Sequence, residues 1–303
     1  MNLLVDQTLG TLVDDVLGYL RSFTKDQDVS THLTTDMTPS DLTMNIASGR
    51  FVSRGRVQVN DEIVYVEEID REKGIATIAP FGRGMDGTVP VAHKAGAMVT
   101  TSPLYPRHVV AKAINQVISG LSNTLYKIDQ IQVPAKSIGF NYEVPEDTKS
   151  ILNISFVAVP GAWKYPTFAK KWTFDQNVTD PLISKTGKAV FIYDVVSPLF
   201  LYTIVFGRYP KPLTSMDAPF SEANLPDTCY DVVVLGSTSR LLSVATAGLL
   251  QTQSVESAVL ANTVDAAGSQ AQSKYLYSLF QARLEEERML LMSQASERVR
   301  YQR

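Results

Sequence analysis

The chain has 303 residues, 45 % of them hydrophobic and 19 % charged, with a formal net charge of −3. This length exceeds one typical domain and predicts two or three modules, each with room for a sizeable core. The near-balanced charge excludes a general electrostatic grip on nucleic acid unless basic residues cluster on one face. The single cysteine, Cys229, excludes an internal disulfide and a zinc–thiolate cluster.

MNLLVDQTLGTLVDDVLGYL opens the sequence without a basic leader and with Asp6, Asp14 and Asp15 inside it. It is therefore read as a helix and not as a secretory signal. Leu9, Leu12, Val13, Val16, Leu17 and Leu20 recur at helical spacing and make one apolar stripe. No run approaches the roughly 18 apolar residues that a membrane span needs, and no membrane partner is expected.

From about residue 30 the period falls to two. Leu42, Met44 and Ile46 alternate with polar residues, and EIVYVEEID (62–70) and GIATIAP (74–80) read as a hairpin turned at Asp70 to Gly74. Residues 30–102 are expected to form a small β-domain inserted between two helices. Pro103 and Pro106 end it, and the second helix follows with Val110, Ala113, Ile114, Val117, Ile118, Leu121 and Leu125 as its stripe.

A second β-rich region spans 128–227, with strand candidates at 128–133, 140–144, 150–159, 188–195 and 201–207. Trp163, Tyr165, Phe168, Trp172 and Phe174 crowd one connection. They fit cross-strand packing better than stacking on sugars or bases. Helices follow Pro226 to the end, with Cys229 a semi-buried residue opening the first of them. The last is long, with Leu276, Phe280, Leu284 and Leu291 as its seam, and it is expected to reach a neighbouring molecule.

The sharpest enzyme signal is Gly82, Gly84 and Gly87 in FGRGMDGT, which fit G-x-G-x-x-G. A dinucleotide loop opens a helix and is followed about 20 residues later by a carboxylate. Here Thr88-Val89-Pro90-Val91 follows, and no Asp or Glu occurs between Asp86 and Asp129. A phosphate loop would need Lys where Thr88 stands. The glycines are read as bending a loop between strands. His32, His93 and His108 have no metal-ligand spacing, and the adjacent Glu67 and Glu68 point to opposite faces of a strand. No catalytic residue, cofactor or metal is expected, and the chain is not read as an enzyme. Lys164, Lys170, Lys171, Lys185, Lys188, Arg208 and Lys211 read as solvated strand faces that could become a positive belt only if repeated around a ring.

The same loop has a second reading. Arg83, Gly84, Gly87, Thr88, His93, Gly96, Ala97 and Val99 spell R-G-x-x-G-T-x-x-x-x-H-x-x-G-A-x-V, which resembles a loop of tailed-bacteriophage virion proteins that closes a small β-domain. YPRHVVAKAINQVISGLSNTLYKI, the phrase Tyr142-Glu143-Val144-Pro145 and the ending VVVLGSTSRLL…SKYLYSLFQARLEEERMLL resemble phage head-to-tail connector (adaptor) proteins of the neck.

That resemblance implies an α+β chain with a helical adaptor core and two β-rich regions. The parts of the chain would be an N-terminal core helix at 1–29, a core helix at 103–127, a β-rich domain at 128–227 and C-terminal helices at 228–303, with the inserted β-domain at 30–102 a departure from a minimal adaptor that could brace the ring's outside or hold fibres. It implies a twelve-fold ring in the virion neck, assembled in the host cytoplasm. The ring would seat on the portal, meet a downstream stopper, nozzle or tail-tube protein, and let genomic double-stranded DNA pass without sequence preference. Portal docking would fall to Tyr275, Leu276, Leu279, Phe280, Arg283, Arg298, Arg300 and Arg303. Arg83, Gly84, Gly87, Thr88, His93 and Gly96 would shape the loop. The alternative is a tail or baseplate protein that holds fibres or binds host glycans through the aromatics of 163–174.

Overall fold

The computed structural model describes residues 7–23, 28–136, 140–158, 167–194, 200–256 and 266–294. Among them, thirteen strands form three sheets in which every pairing is antiparallel, and four α-helices accompany them. The expectation of a helical adaptor core is thereby corrected. The apolar surface of the long middle of the chain follows a period of two, so it is buried between and inside sheets, and the sheets supply the main cores. The chain divides into two compact units, residues 1–116 with 233–280 and residues 117–232 with 281–303.

Unit one begins with helix α1 (Leu9–Phe23), whose stripe Leu9, Leu12, Val13, Val16, Leu17 and Leu20 is buried. Six strands follow: β1 (Val29–His32), β2 (Thr43–Asn45), β3 (Gly55–Val59), β4 (Glu62–Asp70), β5 (Ile75–Ile78) and β6 (Met98–Thr101). Their order in the sheet is β1-β6-β3-β4-β5-β2. The two end strands meet as well. Leu33 bridges Ile46, Thr34 N–H donates to Asn45 O (2.9 Å) and Ala47 N–H to His32 O (3.0 Å). The sheet is thus a closed six-stranded barrel, filled by Leu33, Met44, Val57, Val64, Ile78, Val99 and their neighbours. Leu42, expected to share the inward face with Met44 and Ile46, lies just outside the short β2 and is exposed.

Helix α2 (Arg107–Gly120) starts beside the barrel. Arg107 pairs with Asp14 of α1 and, through Nε, with Asp61 Oδ1 of the β3–β4 turn (2.6 Å). Helices α3 (Tyr230–Glu256) and α4 (Ala266–Gln294) contribute their segments 233–256 and 266–280 to this unit. The hydroxyls of Ser243 and Ser273 lie 2.8 Å apart and join the two.

Unit two holds the other two sheets. Strands β7 (Lys127–Pro134), β9 (Thr148–Ala158), β10 (Thr167–Phe168) and β13 (Phe200–Arg208) pair in the order β10-β9-β13-β7, and β8 (Asn141–Glu143), β11 (Trp172–Asp175) and β12 (Ala189–Ile192) in the order β11-β12-β8. One apolar cluster joins them: Tyr142 and Val190 from the smaller sheet pack with Ile154, Tyr202, Ile204 and Phe206 from the larger. The hydroxyl of Tyr202 donates to Asp194 O (2.9 Å), which lets a tyrosine sit in that core.

Candidate functional site

The glycine loop leaves β5 and returns toward β6. It is built around one carboxylate that pattern reading missed. Glu62 stands first on β4, on the same face as Val64 and Val66, and its side chain is fully buried. A bare carboxylate there would be costly, so it must be matched by donors. Five converge on it: Arg83 Nε (2.6 Å) and Nη2 (2.9 Å), Gly84 N–H (3.0 Å), Val91 N–H (3.1 Å) and His93 Nε2 (2.8 Å). Burial alone raises the Glu62 pKa, but the bonds from His93, Arg83, Val91 and Gly84 outweigh it and hold the group at about 2, from an ordinary 4.5. Arg83 uses its remaining N–H groups on the carbonyls of Thr38 (2.7 Å), Asp41 (3.0 Å) and Val91 (2.8 Å).

The other loop residues shape the backbone. Gly84 has φ +61°, and a Cβ there would fall 2.6 Å from Pro90 Cδ. Thr88 Oγ1 accepts from Ile63 N–H (3.0 Å) and donates to Met85 O (2.8 Å). Gly87 and Gly96 are left-handed as well, and the backbones of His93 and Met37 exchange two 2.8 Å bonds. A short 3-10 turn, Met85–Gly87, stands where a phosphate-binding loop would open a helix. The backbone N–H of Gly84, which such a loop would turn toward a phosphate, already serves Glu62.

The docking residues of α4 fall on different faces. Tyr275 is 62 % exposed while Leu276 is buried; Leu279 and Phe280 are half-buried. Arg283 is occupied, with Nε on Asp231 Oδ2 (2.7 Å), Nη2 on Glu287 Oε1 (3.0 Å) and Nη1 on Glu286. Arg298, Arg300 and Arg303 lie outside the described residues. Glu287 is buried and accepts the hydroxyl of Thr228 (2.6 Å), so unit two holds this stretch of α4 by a satisfied charge. Burial first and the Glu287 carboxylate second push the neighbouring Cys229 thiol up to about 12, which removes it as a thiolate nucleophile near neutral pH.

Of the aromatics weighed for glycan stacking, Trp172 and Phe174 pack against the sandwich core; Trp163 and Tyr165 lie outside the described residues. Among the basic residues, Lys188 donates to Thr148 O (2.6 Å), and Arg208 is paired with Asp129 (3.0 Å) and Asp147 (2.9 Å). Lys164 lies outside the described residues. A polar cleft of about 410 Å³ in unit one is lined by Asp14, Asp28, Asn60, Asp61, Tyr105 and Arg107, and its principal charges answer one another. Among the described residues no three His, Cys, Asp or Glu side chains are grouped to hold a metal ion, and no helix is long and apolar enough to cross a membrane.

No family model matches the chain, and no curated protein is significantly similar to it.

Proposed function

We propose that this chain is a structural subunit of a tailed-phage neck: a ring that joins the portal to the tail and surrounds the DNA exit channel. The observation that carries this reading is the division of labour along α4. Leu276, Glu287 and Leu291 are spent inside the protein, while Tyr275 and Tyr277 are 62 % and 55 % exposed. Tyrosines held in water on an anchored helix suit a protein partner, because the ring adds apolar area and the hydroxyl finds a bond at the rim. The phage-type loop supports the same reading from the other side of the chain. Its glycines and its arginine act on their own domain, through Glu62, as a closure would and as a nucleotide cradle would not.

The portal is the partner proposed for α4, a stopper, nozzle or tail-tube protein for the opposite side, and DNA for the channel. A net charge of −3 suits a channel that must let DNA slide. The test is a bulky label fused to the chain and located in averaged images of intact particles. A label between head and tail is the expected result; a label at the distal tail tip overturns the proposal. Tyr275→Ala is expected to weaken co-assembly with the portal at least tenfold while leaving the fold intact.

A further inference from the structure

The polar cleft of unit one lies where three stretches of chain meet. Helix α1 supplies Asp14 and Leu17, the outer face of the barrel supplies Met98 and Thr100, and the connection into α2 supplies Tyr105 and Arg107. Val99 belongs to the barrel core, so its neighbours Met98 and Thr100 point outward, on the same side as Gln58 of β3.

The polar groups there are not equally served. Gln58 is satisfied, because its Oε1 accepts the Arg107 N–H (3.0 Å) and its Nε2 donates to Asn60 O (2.7 Å). Thr100 is not. It is only 7 % exposed, and among the described residues nothing hydrogen-bonds to its hydroxyl. The hydroxyl of the half-buried Tyr105 is likewise without a partner among them. A buried hydroxyl is costly unless something bonds it, and this one lines an opening of about 410 Å³, which is ligand-sized.

The charges leave a remainder as well. Arg107 answers Asp14 and, through Nε, Asp61 (2.6 Å), so one guanidinium stands between two carboxylates. Asp28 accepts the Leu104 N–H on Oδ1 (3.2 Å), while Arg21 approaches its Oδ2 only to 4.0 Å. Asp14, Asp28 and Asp61 against Arg21 and Arg107 give the cleft one negative charge in excess, so it selects a cation.

The chemistry of the walls narrows the choice. A bare metal ion does not fit, since among the described residues no three acidic side chains are grouped to hold one. A guanidinium asks for both oxygens of one carboxylate, and Asp28 has already given Oδ1 to the backbone. An alkylammonium asks for separate oxygen acceptors around three N–H donors, and for an apolar surface along its stem. The cleft offers Asp28 Oδ2 and the two hydroxyls for the first, and Leu17 with Met98 for the second. We propose that this cleft binds an alkylammonium group. The group arrives on a free diamine or on a lysine side chain of a bound protein, and its chemistry in the cleft is the same. Every lining residue belongs to unit one, so the site stands whether or not the chain forms a ring.

The full-length chain is titrated with cadaverine and with Nα-acetyl-lysine methylamide, and binding is followed by calorimetry. Saturable binding is expected. Tighter binding of cadaverine marks a free amine as the source, and tighter binding of the lysine derivative marks a protein. Pentyltrimethylammonium keeps the charge but has no N–H to donate, and it should bind at least about tenfold more weakly. Thr100→Val keeps the side chain's shape and removes its hydroxyl. Asp28→Asn keeps an acceptor for Leu104 and removes the charge. Each should weaken amine binding at least about tenfold, with cooperative thermal unfolding showing that the fold is kept. If neither amine binds, or if either variant leaves amine binding unchanged, the site is overturned and water alone serves the Thr100 hydroxyl. Binding of calcium in place of the amines overturns the ligand class.

Discussion

Glu62 ties the glycine loop to the barrel through five hydrogen bonds. Its folded pKa, about 2 against an ordinary 4.5, sets the sign of a pH effect. A depressed carboxylate stabilises the fold fully above its unfolded value, and that contribution is lost as the pH falls from about 4.5 toward 2. The size is roughly 3 kcal/mol. Glu62→Gln should cost about 3–5 kcal/mol at pH 7, because it leaves Arg83 buried without its counter-charge, and should flatten the dependence below pH 4.5. Urea denaturation of wild type and variant at neutral and acid pH checks both parts; an unchanged acid slope in the variant would refute the assignment. The sequence made Arg83 and His93 visible through their loop, but their common partner lies 21 and 31 positions back. One signal was present: Glu62 shares a strand face with Val64 and Val66, and a carboxylate in that phase needs a partner.

Individual elements were the most legible part of the chain. The strand stretches at 62–70, 128–133 and 201–207 emerge as β4, β7 and β13, since alternation of β-branched and aromatic residues is a local property. Which strand pairs with which is not local. β13 pairs with β7 and with β9, more than 40 residues earlier, and no periodicity records that choice. Alternation therefore marks each strand without showing that the strands pair with one another to make the main cores. Helix α4 shows the same division between face and role. In its apolar seam Leu276 and Leu291 are buried and Phe280 and Leu284 half-buried. Leu291→Ala should therefore cost about 2–5 kcal/mol of stability, whereas Tyr275→Ala should stay within about 0.5 kcal/mol. Denaturant unfolding of the two variants side by side separates an anchored face from a free one, and equal effects would contradict it.

At a larger scale, the six strands of the barrel are continuous in sequence within unit one. The barrel's first and last strands are neighbours, with Val29 opposite Thr101, so the chain enters and leaves at one place. The closure that completes it, Leu33 to Ile46, is a single bridge beyond the ends of β1 and β2. VSTH, the whole of β1, shows no apolar alternation that could have announced it. A fragment of residues 28–103 contains every strand of the barrel and the full Glu62 clasp. It should unfold in one cooperative thermal transition followed by circular dichroism. A fragment that melts without a transition would mean that the neighbouring helices are needed for the barrel to form.

Closure also decides how each sheet behaves among many copies of itself. The bridge between Leu33 and Ile46 joins the two end strands of the barrel and shortens the edge that a second chain could occupy. The sheets of unit two do have outer strands, and the longest is β7, with eight residues. Its defence is local: the Asp129 carboxylate takes the Gln130 N–H at 2.8 Å, and the strand ends on Pro134, which has no N–H to give. The barrel offers a second chain only the short edges of β1 and β2, four and three residues long. On β7 a carboxylate and a proline blunt part of the eight-residue edge.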